Sequence, residues 1–180
     1  MHSLARPAAS LLLTGLLILA PAGCKRGQQA PAQATEEKAP ALSPVVHVAD
    51  SKTSFQLLKG FHSLEQNSWR WTAGKFSVVL GTPAGAADKG ATLSLRLTIP
   101  EPITQRLGPV TLSAQVGALA LAPESYQQPG DYVYIQDLPA SALRADSVAV
   151  SFSLDKFLAP GDVDKRELGV IVTAIGLEAK

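Results

Sequence analysis

Ala91-Thr92-Leu93-Ser94-Leu95-Arg96-Leu97-Thr98-Ile99 is the stretch whose reading decides the fold. Leu93, Leu95, Leu97 and Ile99 fall on one side of an extended chain, and Thr92, Ser94, Arg96 and Thr98 fall on the other. A period of two with an apolar and a polar side marks a strand with one buried face and one wet face. Working outward, Val110, Leu112, Ala114 and Val116 repeat the pattern against Thr111, Ser113 and Gln115. Val148, Val150, Phe152 and Leu154 repeat it against Ala149, Ser151 and Ser153. Shorter strands are predicted over 69–72, 76–80, 119–121 and 132–136. The segment 169–178 is apolar on both sides, as a central strand would be.

Turn chemistry separates these runs. Gly81-Thr82-Pro83-Ala84-Gly85, Asp88-Lys89-Gly90, Gly108-Pro109, Gln128-Pro129-Gly130-Asp131 and Ala159-Pro160-Gly161-Asp162 are breakers. Leu138 to Leu143, with Pro139 near its start, reads as a single helical turn. No long helical period occurs. About eight short strands with polar turns predict an all-β domain, an antiparallel β-sandwich of jelly-roll-like form over residues 52–180. A closed barrel would give the same pattern.

Composition narrows the function classes. The chain has 180 residues, 46% hydrophobic and 17% charged, which suits one compact domain with extensions. Sixteen basic residues face fifteen acidic ones, so the net charge is +1 and no basic field exists to hold nucleic acid. One cysteine allows neither an internal disulfide framework nor a cysteine-rich metal site. No cofactor is expected.

The N-terminus reads as an address. Arg6 supplies a positive start, and Leu11, Leu12, Leu13, Leu16, Leu17, Ile18 and Leu19 form an apolar core. That core is well short of the roughly 20 residues needed to span a bilayer and suits a secretory signal. Ala22-Gly23-Cys24 resembles the lipobox of bacterial lipoproteins, although Pro21 stands where that family prefers an aliphatic residue. The resemblance implies removal of residues 1–23, acylation of Cys24 and a lipid bilayer as partner. Lys25, where aspartate favours inner-membrane retention in Gram-negative lipoproteins, implies the outer membrane. Residues 24–51 are rich in Ala, Pro, Gln, Glu and Lys, offer little to bury and read as a flexible tether.

Two further segments resemble the ends of a small β-sandwich module appended to bacterial glycosyltransferases and other cell-surface polysaccharide proteins. One is Gly60-Phe61-His62-Ser63-Leu64-Glu65 followed by Trp69-Arg70-Trp71. The other is Pro160 followed by Asp164-Lys165-Arg166-Glu167-Leu168-Gly169. Phe61 replaces the usual tryptophan. The resemblance implies a non-catalytic domain with a carbohydrate role. In such a sandwich the first and last strands lie side by side, which brings Glu65, Trp69, Arg70, Trp71, Asp164, Arg166 and Glu167 together.

Each candidate has two readings. Trp69 and Trp71 would form either a platform for sugar rings or part of the core, and core is favoured. The charged cluster would either bind sugar hydroxyls or staple the chain ends, and the staple is favoured. His62 has no second imidazole or nucleophile-elbow Gly-x-Ser-x-Gly to work with, and reads as a surface histidine. Asp162 and Asp164 read as a polar turn rather than a metal site. Tyr126, Tyr132 and Tyr134 offer a binding edge, with Tyr132 and Tyr134 partly exposed. The sequence therefore predicts a non-catalytic, lipid-anchored envelope protein whose sandwich binds a saccharide or a protein partner. The alternative is a scaffolding lipoprotein that binds no sugar.

Overall fold

The computed structural model describes residues 40–161 and 164–180; the expected signal, Cys24 and most of the expected tether lie outside the described residues. Among the described residues, ten strands pair antiparallel in one sheet: β1 (Val45–His47), β2 (Leu57–Glu65), β3 (Trp69–Gly81), β4 (Ala91–Ile99), β5 (Val110–Val116), β6 (Leu119–Ala120), β7 (Glu124–Tyr126), β8 (Gly130–Leu138), β9 (Ser147–Leu154) and β10 (Ile171–Ala179). Two short helices, α1 (Ala86–Lys89) and α2 (Glu101–Leu107), cross between strands. The predicted turn after Pro139 is a 3-10 turn over Ala140–Ala142.

The sheet is forked and curls into two layers. On one edge of β3, Trp71 and Arg70 pair with Ile171 and Val172 of β10. Farther along, Lys75 to Gly81 pair with Ser153 to Ser147 of β9. Because β2 occupies the opposite edge of β3 throughout, β9 and β10 share one edge and diverge from it. The front layer runs β2-β3-β9-β5, with β6 and β7 on the outer edge of β5. The back layer runs β1-β10-β4-β8. β2 and β3 form a hairpin within the front layer; from β3 onward successive long strands alternate between the layers, the jelly-roll-like arrangement expected of the pattern.

The core lies between the layers. Leu93, Leu95 and Ile99 are fully buried, as are Val78, Leu80, Leu112 and Val150 from the front. Each such side chain contributes about 1.5–3 kcal/mol by leaving water. Rings bridge the gap: Tyr134 of β8 meets Phe152 of β9 edge-on at 6.4 Å, and Phe152 stacks on Phe76 at 4.9 Å. Strand β10 is central, as its two apolar sides predict: it pairs with β4 on one edge and with β3 and β1 on the other. Its outward Gly176 lies under Val45 of β1.

Three expectations change. Residues 45–48, expected in the tether, belong to the sandwich instead: β1 pairs with β10, and Val46 and Val48 are buried. Buried Gln56 secures that segment: its amide donates to the carbonyls of Ser43 and Val79, and its carbonyl accepts from the Ser43 amide. Strands 69–72 and 76–80 are one continuous β3. The side chains of β8 are inverted. Tyr134 is fully buried, whereas Val133 and Ile135 stand 41% and 56% exposed. The Tyr134 ring packs edge-on against Phe152 in the core, and its hydroxyl stays satisfied by donating to the Ala122 carbonyl at 2.8 Å. Burial, reinforced by the Glu124 charge, pushes that phenol up to about 12.

Gly60 tests the irregular pairing of β2. It has φ of +76°, and a Cβ there would collide with the Lys75 carbonyl and with Phe76. Gly85, with φ of +82°, faces open space. Gly85→Ala should therefore cost about 1 kcal/mol from backbone strain alone, and Gly60→Ala at least about 3 kcal/mol. Chemical denaturation of the two variants checks the ranking.

Candidate functional site

The residues singled out by the sequence converge at the fork, and most of their polar groups are engaged with one another or with backbone. Arg166 donates through Nη1 to Glu65 Oε1 at 2.7 Å and through Nη2 to Asp164 Oδ2 at 2.9 Å. The Arg166 side-chain bonds, then its backbone amide, hold the Asp164 carboxyl down at about 2. Among the described residues Arg70 pairs with no carboxylate: it donates to the backbone carbonyls of Val48 and His62. Nε2 of His62 lies 2.6 Å from the Glu167 carbonyl. A carbonyl only accepts, so this nitrogen carries the proton and donates. His62 is thus a joint between β2 and the segment before β10, half-buried rather than a free surface imidazole.

Glu167 and Gly169 fill the crotch itself. At Gly74, between the β10 and β9 pairings, the backbone amide donates to Glu167 Oε1 at 2.6 Å. Phe157 lies against the α-carbon of Gly74, leaving no room for a side chain. A Cβ on Gly169 would strike Leu154 of β9 and both Thr72 and Ala73 of β3. The Gly169 amide donates to the Thr72 carbonyl at 2.7 Å. The Asp164-Lys165-Arg166-Glu167-Leu168-Gly169 run therefore occupies the point where the layers part. Trp69 and Trp71 are both half-buried and meet edge-on at 6.4 Å. Trp71 packs against the core.

A different surface offers space to a ligand. On the front layer, Lys75, Ser153 and Ser113 line up across three strands. The next row is Lys59, Ser77, Ser151 and Gln115. An open groove of about 420 Å³ lies over these rows, lined by Lys59, Lys75, Ser113, Gln115, Ser151 and Ser153, with Ala120 and Leu121 at the β6 side. Neither tryptophan lines it. Phe76 and Phe152 contribute to its floor but are 1% and 2% exposed, so no ring face is available for stacking. The groove brings together three seryl hydroxyls, the Gln115 side chain and two ammonium groups; Gln115 Nε2 already donates to the Gly117 carbonyl at 2.6 Å, which leaves its carbonyl oxygen and second N–H for a polar ligand. The wet faces of β5 and β9 were visible as alternation in the sequence; their alignment with Lys59 and Lys75 depends on register and was not.

Tyr126 departs from the expected binding edge. It is 2% exposed, its ring sits 4.6 Å from that of Tyr132, and its buried hydroxyl has no hydrogen-bond partner among the described residues. Burial, then the nearby Glu124, raises its phenol above the ordinary range.

Substitutions at Glu167 and Arg166 separate the parts of the staple. Glu167→Ala leaves the buried Gly74 amide unpaired and should cost about 1–3 kcal/mol, whereas Glu167→Gln keeps an acceptor and should cost less. Denaturant midpoints of both variants check this. Asp164 has a depressed folded-state value, so its contribution is full above the unfolded carboxyl's value and fades as pH falls through the folded one. The stability difference between wild type and Arg166→Gln should therefore shrink as pH falls from 3.8 to about 2. Thermal melts across that range measure it.

The chain matches no protein-family model and no curated protein. Among solved structures it is similar to a carbohydrate-binding module, CBM36, described in complex with calcium and xylotriose: 8% identity, 74% of this chain, 98% of that chain, TM-score 0.39. It is also similar to CBM4, at 8% identity, 76% of this chain, 85% of that chain and TM-score 0.35.

Proposed function

We propose that this chain is a lipid-anchored protein of the cell envelope whose β-sandwich binds saccharide, without catalysis, in the front-layer groove. The observation that carries the reading is the groove's lining, in which Ser113, Gln115, Ser151 and Ser153 present hydroxyls and an amide from rigid neighbouring strands. Ligands rich in hydroxyls need such donors and acceptors at fixed spacing. The residues lining the groove include no carboxylate, whereas a glycosidase sets two across the scissile bond. The anchor rests on Ala22-Gly23-Cys24 and on the apolar run before it. Lys25 favours the outer membrane. Acyl chains contribute roughly 0.8 kcal/mol per buried methylene, and several together give stable attachment.

A second reading, a scaffold for a protein partner, is favoured by Val133 and Ile135, which stand exposed on β8 at the end of the back layer. Strands at sheet ends with exposed apolar side chains are ready surfaces for another chain.

Glycan-array binding by the detergent-solubilised full chain tests the first reading. The double variant Gln115→Ala, Ser151→Ala should lose roughly tenfold in affinity, the effect of removing two net hydrogen bonds. Trp69→Ala should lower the melting temperature and leave binding in place. Loss of binding in Trp69→Ala with an unchanged melt would move the site to the tryptophans, and absence of any glycan signal would favour the scaffold. Cys24→Ser should release the protein from the membrane fraction; continued sedimentation with membranes would contradict the anchor.

A further inference from the structure

From the charges around the groove we infer that its ligand is an acidic saccharide, one carrying carboxylate, sulfate or phosphate groups. The inference rests on the groove being the saccharide site proposed above. Lys59 and Lys75 both line it and both are exposed. Lys59 pairs with Ser77, and Ser77 lies two residues from Lys75 on the same face of β3, so the two ammonium groups are diagonal neighbours on adjacent strands. Residues so placed lie roughly 7–8 Å apart, close enough for both side chains to reach one anionic group or two successive ones. No acidic residue is among those lining the groove. Two like charges held together repel, and an incoming anion relieves that repulsion while gaining two ion pairs.

The neighbouring lysine is committed elsewhere: Lys156 Nζ donates to the carbonyls of Leu107 and Pro109. The seryl hydroxyls and the Gln115 carbonyl oxygen beside the lysines suit the remaining hydroxyls of a sugar ring; the Gln115 Nε2 also holds the Gly117 carbonyl. A single-stranded nucleic acid would also bring anions, but its bases need exposed aromatic faces, and Phe76 and Phe152 are buried under the groove.

The test titrates the detergent-solubilised full chain at low salt with polygalacturonate, with its fully methyl-esterified form and with an oligothymidylate. Polygalacturonate should bind about tenfold or more tightly than the ester, which has the same rings without the charge. Lys59→Gln and Lys75→Gln should each weaken it about threefold to fivefold, the scale of one exposed ion pair. Lys59→Arg should retain binding, and the ester's affinity should not change in any variant. An unchanged thermal transition confirms that the variants are folded. Equal binding of acid and ester, or full binding by the double Gln variant, would overturn the acidic preference and leave the groove as a neutral-glycan site. No binding of either polymer, together with an empty glycan array, would overturn the groove reading as well. Oligothymidylate binding as tight as polygalacturonate would assign the groove to nucleic acid instead.

Discussion

The hydrogen bond from the Gly74 amide to the Glu167 carboxylate stands where one sheet becomes two layers. β3 changes partner there, from β10 to β9, and a strand that changes partner leaves a backbone donor with no ladder to join. A buried, unpaired amide costs about 1–3 kcal/mol, enough to matter against the small net stability of a domain. Glu167 supplies the missing acceptor. Phe157 covers the same glycine, and Gly169 lies between Leu154, Thr72 and Ala73 in space that admits no side chain. The curl of the sheet depends on this joint, and the core depends on the curl.

The joint also explains what the conspicuous charges do. Arg166 could have been a ligand-binding guanidinium. Instead it bridges Glu65, at the end of β2, to Asp164, in the segment leading to β10. Arg70 and His62 spend their donors on backbone carbonyls of neighbouring segments. Polar groups whose hydrogen-bonding capacity is used within the fold have little left for a ligand. The groove on the front layer is the opposite case: its lysines and the lining face of β5 and β9 point to solvent, and its floor is held by the stacked pair Phe76 and Phe152. The two regions share β3, which runs from the joint into the floor of the groove.

Much of the fold was legible because its strands have one wet face. Ala91–Ile99, Val110–Val116 and Ser147–Leu154 agree with the alternation nearly residue for residue. Where the pattern is not legible the cause is local. Leu57–Glu65 is broken by register shifts at Lys59, Phe61 and Leu64, so its alternation fails. Val45–His47 is too short to show a period and sits beside a low-complexity run. Glu101–Leu107 spans fewer than two helical turns and carries Pro102 in its first turn, which masks its periodicity. Tyr132 to Ile135 alternates aromatic with aliphatic, so both faces are apolar and the pattern does not say which side faces the core. Proximity of Trp69-Arg70-Trp71 to Arg166-Glu167-Leu168-Gly169 was legible; the groove was not, because it arises from the registers of β2, β3, β9 and β5 together.

The measurement that bears most directly on this account is amide chemical-shift mapping of the full chain titrated with trigalacturonate. The account predicts that the perturbed resonances cluster at Lys59, Lys75, Ser113, Gln115, Ser151 and Ser153, with the Gly74 and Gly169 amides little moved. Perturbations centred instead on Trp69, Trp71 and Arg166, or on Val133 and Ile135 across the back layer, would contradict it.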